Sequence, residues 1–283
     1  MKRLLAILMI IAMGAALCGC GGPKVSEITI MSQNVRLDGV GDEVDVLYRA
    51  ESFYELIKKY QPDLIGVQEY TPLWHYMMED YLAESGYKIE MKYRCDWAEE
   101  ATAVIYNAKR LELLYAEHFW LSDTPEEESL SYGDTLPRIC TRCDFKDKKT
   151  GVKFTHINTH FGLTATAQES SGTQINTYVK ENLKGQPVFL TGDMNTQMGS
   201  LAYINITAED LLYDSALIAN EFGETCGTFN GFEDGVFSGP IDYVFITPDL
   251  INADYYSVLL DKPNDIFISD HYAVLAKCTV KNK

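Results

Sequence analysis

Basic residues are scarce in this chain of 283 residues. Lys and Arg together number 24 against 41 Asp and Glu, so the formal net charge at pH 7 is −17. Proteins that hold a long polyanion across a wide surface need clusters of Lys and Arg to displace counterions from its phosphates. The chain has no such cluster, which argues against tight binding of duplex DNA. A small phosphate-bearing substrate held in a local pocket remains compatible with this charge.

Internal repeats, low-complexity segments and linkers are also lacking in residues 25–283. Hydrophobic residues make up 46% and charged residues 23% of the chain, close to the averages of globular proteins, which argues against disorder, collagen and coiled coils. The one continuous apolar run, 4–17, is too short to cross a bilayer comfortably as a helix. We therefore predict one large domain over residues 28–283.

The apolar run follows the basic start Lys2-Arg3, and small residues come after it, as is typical of a secretory signal. A buried N-terminal helix is the alternative, but the run has no polar face. The following residues, Leu17-Cys18-Gly19-Cys20, resemble the lipobox of bacterial lipoproteins. That resemblance implies cleavage before Cys20 and lipidation of this residue, so we predict an exported lipoprotein that is anchored to the membrane.

The resulting domain prediction places a signal peptide at 1–19 and the lipidated cysteine with a short tether at 20–27. Removal of residues 1–19 takes away only two charged residues, Lys2 and Arg3. The mature chain would therefore be slightly more acidic, at −19. The sequence does not show which side of which membrane the anchor would serve.

Five further cysteines cannot all pair because their number is odd. Cys140-x-x-Cys143 could suggest a metal or redox site, but the surrounding residues alternate like a strand, on which positions three apart face opposite sides. A metal shared by these two thiols is therefore not expected. An exported protein permits a disulfide, and the choice of partners stays open among Cys95, Cys140, Cys143, Cys226 and Cys278.

Short runs rich in β-branched and aromatic residues recur along the chain and predict strands. Helical patterns interrupt them at 45–60, 72–83 and 168–183. Many strands with few helices predict two β-sheets packed face to face, with helices outside. The predicted strands are 28–35, 64–68, 87–93, 102–106, 111–115, 139–145, 153–159, 188–191, 241–246, 255–260 and 272–280.

Several predicted strands end in polar residues that an apolar core would not require. Each one alone has an ordinary explanation as a turn residue, a solvated carboxylate or a structural histidine. Strand ends on a rigid sheet are also where functional sites are built, and six of them together supply carboxylates, amides and two histidines. These ends are Gln33-Asn34, Gln68-Glu69, Asn158-Thr159-His160, Asp193-Met194-Asn195, Asp242 and Asp270-His271.

The residue types in this set indicate acid–base and metal chemistry. Carboxylate oxygens of Glu69 with Asp270 or Asp193 suit Mg²⁺ or Mn²⁺ and leave positions for phosphate oxygens. His160 and His271 have no thiolates in their motifs, so we interpret them as acid–base groups or phosphate donors rather than zinc ligands.

In its order and spacing, the set resembles the endonuclease/exonuclease/phosphatase superfamily, which includes DNase I, exonuclease III-type endonucleases, inositol polyphosphate 5-phosphatases and neutral sphingomyelinases. The resemblance runs from about residue 28 to residue 279. It implies a four-layered α/β sandwich of two mixed sheets flanked by helices, and Mg²⁺-dependent hydrolysis of a phosphoester. It also implies that Glu69 binds the metal with Asn34 beside it, and that Asp270 lies at the metal or behind a histidine.

The same resemblance implies catalytic roles. His271 would be the general base that activates water, with its ring oriented by Asp242, because an Asp–His pair fixes the tautomer and raises basicity. His160 would donate to the phosphate, while Asp193 and Asn195 would position the nucleophile and the phosphate.

Two further residues have supporting roles by resemblance. Glu100 matches a glutamate that supports a histidine, and Arg138 matches an arginine near the phosphate, although it could equally pair with acidic residues of the run 123–134. The chain departs from the pattern of secreted bacterial members in lacking an Arg within 161–168, where Gln168 takes the place, and in its turn at 93–97. Aromatic residues that would line the pocket are Trp97, Trp120 and Phe229, unless they pack in the core.

We therefore expect a monomeric metal-dependent hydrolase that acts outside the cytoplasm on a small or weakly held phosphodiester or phosphomonoester. No long apolar hairpin is present to insert into lipid, which counts against a sphingomyelinase. One alternative is an extracellular DNA or RNA nuclease that binds weakly. Another is a non-catalytic binding lipoprotein on the same fold, which the completeness of the residue set disfavours.

Overall fold

The computed structural model describes residues 24–39, 41–235 and 239–281. The predicted signal peptide at 1–19 and the predicted lipidation site Cys20 lie outside these residues. Strand β1 begins at Val25, within the range predicted for the tether. In the described part of the chain, no helix is both long enough and apolar enough to cross a membrane.

The chain contains many strands, with α-helices inserted between some of them. The strands are β1 (Val25–Asn34), β2 (Leu64–Tyr70), β3 (Tyr87–Glu90), β4 (Ala101–Asn107), β5 (Leu111–Trp120), β6 (Ile139–Asp147), β7 (Lys153–His160), β8 (Val188–Asp193), β9 (Tyr213–Asp214), β10 (Glu221–Phe222), β11 (Asp242–Ile246), β12 (Ile251–Leu259) and β13 (Ala273–Lys281). The α-helices are α1 (Val46–Tyr60), α2 (Pro72–Ser85), α3 (Ala165–Asn182), α4 (Leu201–Ile206) and α5 (Ser215–Ile218).

The strands form two mixed sheets. One has seven strands in the order β10-β12-β13-β1-β2-β4-β3, and the other has six in the order β5-β6-β7-β8-β11-β9. β1 and β2 are parallel, as are β7 and β8, whereas β13 runs antiparallel to β1 and β11 antiparallel to β8. The predicted pair of mixed sheets with helices outside is confirmed.

Apolar side chains form three layers that match this architecture. One cluster, with Ile30 and Phe189, lies between the two sheets. A second joins α1 and α2 to the outer face of the seven-stranded sheet, and a third lies under α3 and α4 on the six-stranded sheet. Cys143 belongs to the inner layer and Cys140 to the layer under α3, which confirms that the two thiols face opposite sides of β6.

A buried polar network joins the two sheets directly behind the strand ends. Asn158 of β7 donates from Nδ2 to the carbonyls of Val67 and Ala103 in the opposite sheet, both at 2.9 Å. Its Oδ1 accepts from Gln68 Nε2 at 2.7 Å and from the Thr191 hydroxyl at 3.0 Å. Buried polar groups stabilise a fold when they are hydrogen-bonded, so this network sets how the two halves of the site face each other.

Gly66 of β2 lies where the sheets approach most closely in this network. A Cβ atom at this position would overlap the Thr191 hydroxyl and lie 2.5 Å from Asn158 Oδ1. We expect Gly66→Ala to lower the free energy of unfolding by about 3 kcal/mol, because overpacking adds to the disruption of buried hydrogen bonds. Urea denaturation would measure this change.

Gly239 provides the matched control for this substitution. Among the residues that the structure describes, a Cβ atom there meets only Gln197 Cδ, at an ordinary contact distance of 3.9 Å. Gly239→Ala should therefore change the unfolding free energy by less than about 0.5 kcal/mol. Equal effects of the two substitutions would contradict the tight approach of the sheets at Gly66.

Candidate active site

The polar strand ends meet at one edge of the sandwich. Asn34 and Glu69 lie at the carboxyl ends of the parallel strands β1 and β2, and His160 and Asp193 end the parallel strands β7 and β8 of the other sheet. Asp242 begins β11 directly opposite Asp193 in the antiparallel register. The topology therefore brings residues that are far apart in the chain to a common edge.

The segment before β13 completes this edge. The carbonyl of Asp270 accepts from the backbone N–H groups of Asn230 and Gly231, and the N–H of Tyr272 donates to the carbonyl of Thr228. These bonds hold Asp270 and His271 against the loop that precedes β11. All eight residues predicted to bind metal or perform the chemistry thus lie together, and the roles that the resemblance implies for them remain predictions.

Asn34 connects the two sheets within the site. Its Nδ2 donates to Glu69 Oε1 at 2.9 Å and to Asp193 Oδ2 at 3.0 Å. Its Oδ1 accepts from the backbone N–H of Arg36 at 2.8 Å, which fixes the orientation of the amide. The amide nitrogen of Asn34, rather than its oxygen, therefore faces both carboxylates, and direct metal ligation by Asn34 stays a prediction.

Two site residues have left-handed backbone conformations. Glu69 has a φ of 58° and Asn195 a φ of 49°, and the pairing of β2 with β4 shifts register between Val67 and Tyr70. A bulge of this kind redirects a side chain at the end of a strand, and such conformations cost roughly 1–3 kcal/mol each for residues other than glycine. The Glu69 carboxylate is thereby held between Asn34 Nδ2 and the backbone N–H of Leu37, which donates to Oε2 at 2.9 Å.

His271 and Asp242 form a buried pair. His271 Nδ1 lies 2.8 Å from Asp242 Oδ2, while Nε2 lies 3.7 Å from Asp193 Oδ2 and 4.0 Å from Asp270 Oδ1. Burial alone would lower the pKa of His271, but the charges of Asp242, Asp193 and Asp270 outweigh it and raise the pKa to about 10. The metal-free site therefore favours the imidazolium form of His271. To act as a base, His271 would need a nearby positive charge that offsets the negative charges of these carboxylates.

His160 ends β7, which pairs with β8 on the side away from β11, the strand that carries the His271 partner Asp242. Its Nε2 is 3.0 Å from Asn195 Nδ2 and 3.6 Å from Asp193 Oδ2, and its Nδ1 is 3.3 Å from Glu100 Oε1. Asn195 Nδ2 also donates to the carbonyl of Phe161 at 3.1 Å, which assigns this atom as the amide nitrogen. We infer from this pattern that Nε2 is the acceptor and that the ring proton resides on Nδ1, facing Glu100.

Two of the carboxyl groups next to the histidines, those of Asp193 and Glu100, have lowered pKa values. Burial would raise the pKa of Asp193, but the imidazoles of His271 and His160 outweigh this effect and lower it. The pKa of Glu100 is likewise lowered, because His160 and the guanidinium of Arg94 outweigh burial. One oxygen of Asp193, Oδ2, thus lies between two imidazoles and also accepts from Asn34.

The donor set fits a hard divalent cation. Burial raises the pKa of Asp270 and the Glu69 charge adds to the rise, as expected where carboxylates crowd without a counterion. Ligand atoms of Asp193, Asp242 and His271 lie within 4.8 Å of one another, and Asp242 and His271 are also hydrogen-bonded to each other. Glu69 and Asp270 stay the predicted ligands of Mg²⁺ or Mn²⁺ through their oxygen atoms.

Arg138 lies beside the site and has few protein partners. Its side chain is only 5% exposed, and the nearest carboxylate oxygen, Asp134 Oδ2, is 3.9 Å from Nε, outside hydrogen-bond distance. Neither Nε nor Nη1 finds a hydrogen-bond partner among the described residues. Pairing with the acidic run 123–134 is thus limited to a loose contact, and a buried charge with unused donors suits an anionic ligand.

The structure shows where the residues lie at which the chain departs from the family pattern, and where the predicted pocket aromatics lie. Gln168 Nε2 donates to the carbonyls of Gly162 and Asn195, at 3.1 and 2.9 Å, and so supports the loop that carries Asn195. Trp120 is buried, whereas Trp97 is 62% exposed. Phe229 is 40% exposed and its ring lies edge-on to that of His271 with centroids 5.2 Å apart.

Arg49 is a supporting residue that the sequence interpretation missed. It is fully buried in α1, and its guanidinium donates to the carbonyls of Val35, Arg36 and Leu37, which follow β1. This loop carries the N–H groups that hold Asn34 and Glu69. The sequence did contain a sign of this role, because Arg49 is a charged residue one turn before Phe53 on the apolar face of the predicted helix.

Comparisons with known proteins agree with this geometry. A model of the Endonuclease/Exonuclease/phosphatase family matches residues 31–271. A family protein from Bacteroides thetaiotaomicron is 26% identical with a TM-score of 0.84, over 90% of this chain and 98% of that chain. A mannosyl-6-phosphatase from the same organism is 26% identical with a TM-score of 0.81, over 89% and 99%.

A more distant similarity is restricted to the fold. TDP2 from D. rerio, solved with a single-strand DNA product, is 16% identical with a TM-score of 0.70, over 89% of this chain and 99% of that chain. The comparison with curated proteins found no match. Because the family model spans most of the sequence, the chain belongs to the endonuclease/exonuclease/phosphatase family.

Proposed function

We propose that this protein is a metal-dependent hydrolase of phosphoesters and that its substrate is a small phosphomonoester. The observation that carries the proposal is the position of Asp193 Oδ2, 3.6 Å from His160 Nε2 and 3.7 Å from His271 Nε2. Two imidazole nitrogens thus lie near the same carboxylate oxygen, in a buried site with further carboxylates. Hydrolysis of a phosphoester needs a base for water on one side and donors for the phosphate on the other.

Each site residue has a separate role in this proposed hydrolysis. His271 accepts the proton of the attacking water at Nε2, while Asp242 holds the ring through Nδ1. His160 and Asn195 lie on the phosphate side, where the Asn195 N–H that donates to the unprotonated Nε2 of His160 would turn to a phosphate oxygen. Asp193 orients the nucleophile between the histidines. Residues Glu69 and Asp270 would hold the divalent cation, with Asn34 beside it. When bound, such a cation offsets the negative charge of the phosphoryl oxygens.

A small substrate is favoured by charge and by similarity. The net charge of −17 disfavours the extended phosphate contacts that a nucleic acid requires. A relative with 26% identity is a mannosyl-6-phosphatase, whereas the likeness to a DNA-bound protein is limited to the fold. The phosphorylated sugar is therefore the first compound class to test. We also propose that the enzyme acts outside the cytoplasm, anchored through Cys20.

A substrate panel tests the proposed function. The purified protein is incubated with Mg²⁺, Mn²⁺ or EDTA and with hexose 6-phosphates, p-nitrophenyl phosphate, bis-p-nitrophenyl phosphate, plasmid DNA and RNA. We expect release of inorganic phosphate from monoesters with either metal and none with EDTA. Turnover of the diester or the nucleic acids alone would replace the monoester proposal with a nuclease, and no turnover of any substrate would refute the hydrolase.

Arg138 provides a test of monoester binding. A terminal phosphate carries two negative charges, and the spare donors of Arg138 would bind one of its oxygens. Because a hydrogen bond to a charged group contributes about 1.5–3 kcal/mol, we expect Arg138→Met to lower kcat/KM by roughly 10- to 100-fold. Steady-state kinetics on a hexose 6-phosphate measure this effect.

Arg142 of β6 is the matched control for Arg138. Its guanidinium already pairs with Asp144 and Glu117, at 2.8 and 3.3 Å, in a partly buried position of the same sheet. Arg142→Met should affect stability but leave kcat/KM within about twofold of wild type. Wild-type kinetics in Arg138→Met would assign Arg138 to structure rather than to the substrate.

A further inference from the structure

We propose that Arg94 is a positioning residue that acts through Glu100 to fix the tautomer and direction of His160. The inference rests on the proposed function, since it assigns His160 to the phosphate side of the reaction. No hydrogen bond joins Arg94 to His160 among the described residues. The residue lies in the segment between β3 and β4, where the sequence departs from the family pattern.

Arg94 is held at both its backbone and its side chain. Its N–H donates to the carbonyl of Glu100 at 2.9 Å, and its carbonyl accepts from Trp120 Nε1 at 2.8 Å. Its Nε donates to the carbonyl of Ala98 at 3.3 Å. Hydrogen bonds to residues other than Glu100 therefore also position Arg94. The guanidinium can for this reason hold the Glu100 side chain in place.

Glu100 divides its two oxygens between a cation and a histidine. Oε2 lies 2.9 Å from Arg94 Nη2, and Oε1 lies 3.3 Å from His160 Nδ1. Both side chains of the Arg94–Glu100 pair are more than 90% buried. A buried carboxylate with one oxygen unpaired would be free to rotate or to take up a proton. The ion pair with Arg94 restrains Oε2 and so favours the position in which Oε1 lies near His160.

The position of the proton on Nδ1 also determines what the Nε2 side of the His160 ring can do. Glu100 Oε1 lies 3.3 Å from His160 Nδ1, and Nδ1 has no other polar partner among the described residues. With the ring proton on Nδ1 facing this carboxylate, the Nε2 atom faces Asn195 at 3.0 Å, where the proposed reaction places the phosphate. Residues behind a first layer of functional groups commonly act in this way, by fixing ring orientation and proton position. Loss of Arg94 would misplace His160 without removing any group that contacts the substrate.

A double-mutant cycle separates this role from a general structural one. We expect Arg94→Met to lower kcat on a monoester by roughly 10- to 100-fold, with KM changed less than threefold. Glu100→Gln should have a similar effect. If Arg94 acts through Glu100, the double variant should be no slower than Glu100→Gln within about threefold, because coupled residues are not additive. Independent, multiplying losses would overturn the proposal.

Two further variants control for damage to the segment. Arg94→Lys keeps a positive charge within reach of Glu100 and should recover part of the lost kcat, with a melting temperature near that of wild type. Arg142→Met removes a comparable arginine away from the site and should leave kcat unchanged. Equal loss of kcat in Arg94→Lys and Arg94→Met, with both folded, would contradict a role through the charge on Glu100.

A spectroscopic measurement keeps the proposal testable if no substrate is found. In protein labelled with ¹⁵N-histidine, the chemical shifts of the His160 nitrogens report which one carries the proton, and His160→Gln assigns the signal. We expect the Nδ1-protonated form in wild type and its loss or mixing with the other tautomer in Arg94→Met. An unchanged tautomer in Arg94→Met would refute the inference, whatever the outcome of the substrate panel.

Discussion

Replacement of His271 by Asn should lower kcat for phosphoester hydrolysis by about 100- to 10,000-fold, the range that a positioned general base contributes. In the structure, His271 has its Nδ1 bound to Asp242 and its Nε2 directed at Asp193 and Asp270. It is thus the imidazole with one nitrogen anchored, and its other nitrogen would accept a proton once positive charge offsets the surrounding carboxylates. Stopped assays of phosphate release over hours would resolve a loss of this size.

Asp242 supplies the companion variant. Because Asp242 acts by holding the ring of His271, Asp242→Asn should reduce kcat less than His271→Asn, and the double variant should be no slower than His271→Asn alone. Circular dichroism and thermal unfolding show whether each variant remains folded. A folded His271→Asn protein with wild-type kcat would remove His271 from the chemistry and leave His160 as the only candidate base of the two.

The architecture and the site location were predictable because they follow from local patterns. Alternating β-branched residues predicted the strands, and polar residues after parallel strands predicted a shared edge, since β1 with β2 and β7 with β8 end on the same side. The helix prediction 45–60 differs from α1 only at Asp45, which accepts from the N–H of Leu47 as the N-cap.

Features that depend on distant contacts were not predictable. For the prediction 87–93, β3 ends at Glu90 and beyond it only Tyr93 pairs, in an isolated bridge with Ala101, because the chain there turns toward the pairing of Arg94 with Glu100. β5 continues to Trp120, past the predicted end at residue 115, because β6 pairs with it along its whole length. In both cases the partner strand, rather than the segment's own composition, decides where pairing ends.

The geometry of the site also depends on backbone conformations that sequence patterns do not encode. Glu69 was predicted as a metal ligand, but nothing in Gln68-Glu69-Tyr70 indicates a φ of 58°. That conformation is stabilised by the Leu37 N–H and by Asn34, which reach Glu69 only after β1 and β2 have paired. Strained conformations of this kind persist where many surrounding contacts hold a residue in place. They can therefore be recognised only in the folded protein.

Glu69→Gln should reduce metal-dependent turnover by about 100- to 1,000-fold. The glutamine keeps the size of Glu69 and can still accept from the N–H of Leu37, which donates to Oε2 in the structure, but it removes a charged ligand. Loss of a metal that contributes several kcal/mol to the stabilisation of the transition state corresponds to this range of kcat. Assays at rising Mg²⁺ and Mn²⁺ concentrations would show whether excess metal restores part of the rate.

Thermal unfolding tests metal binding at Glu69 without a substrate. A ligand that binds only the folded state stabilises it by about 2.7 kcal/mol at a concentration of 100 Kd, so Mg²⁺ should raise the Tm of wild type. In Glu69→Gln this rise should shrink or disappear, while Glu79→Gln, which removes the same charge from an exposed position on α2, should retain it. A Glu69→Gln protein with the full Mg²⁺-dependent rise in Tm and full turnover would place the metal elsewhere. The crowding of Asp270 and Glu69, which raises the pKa of Asp270 in the metal-free site, would then reflect only the cost of holding two carboxylates close together.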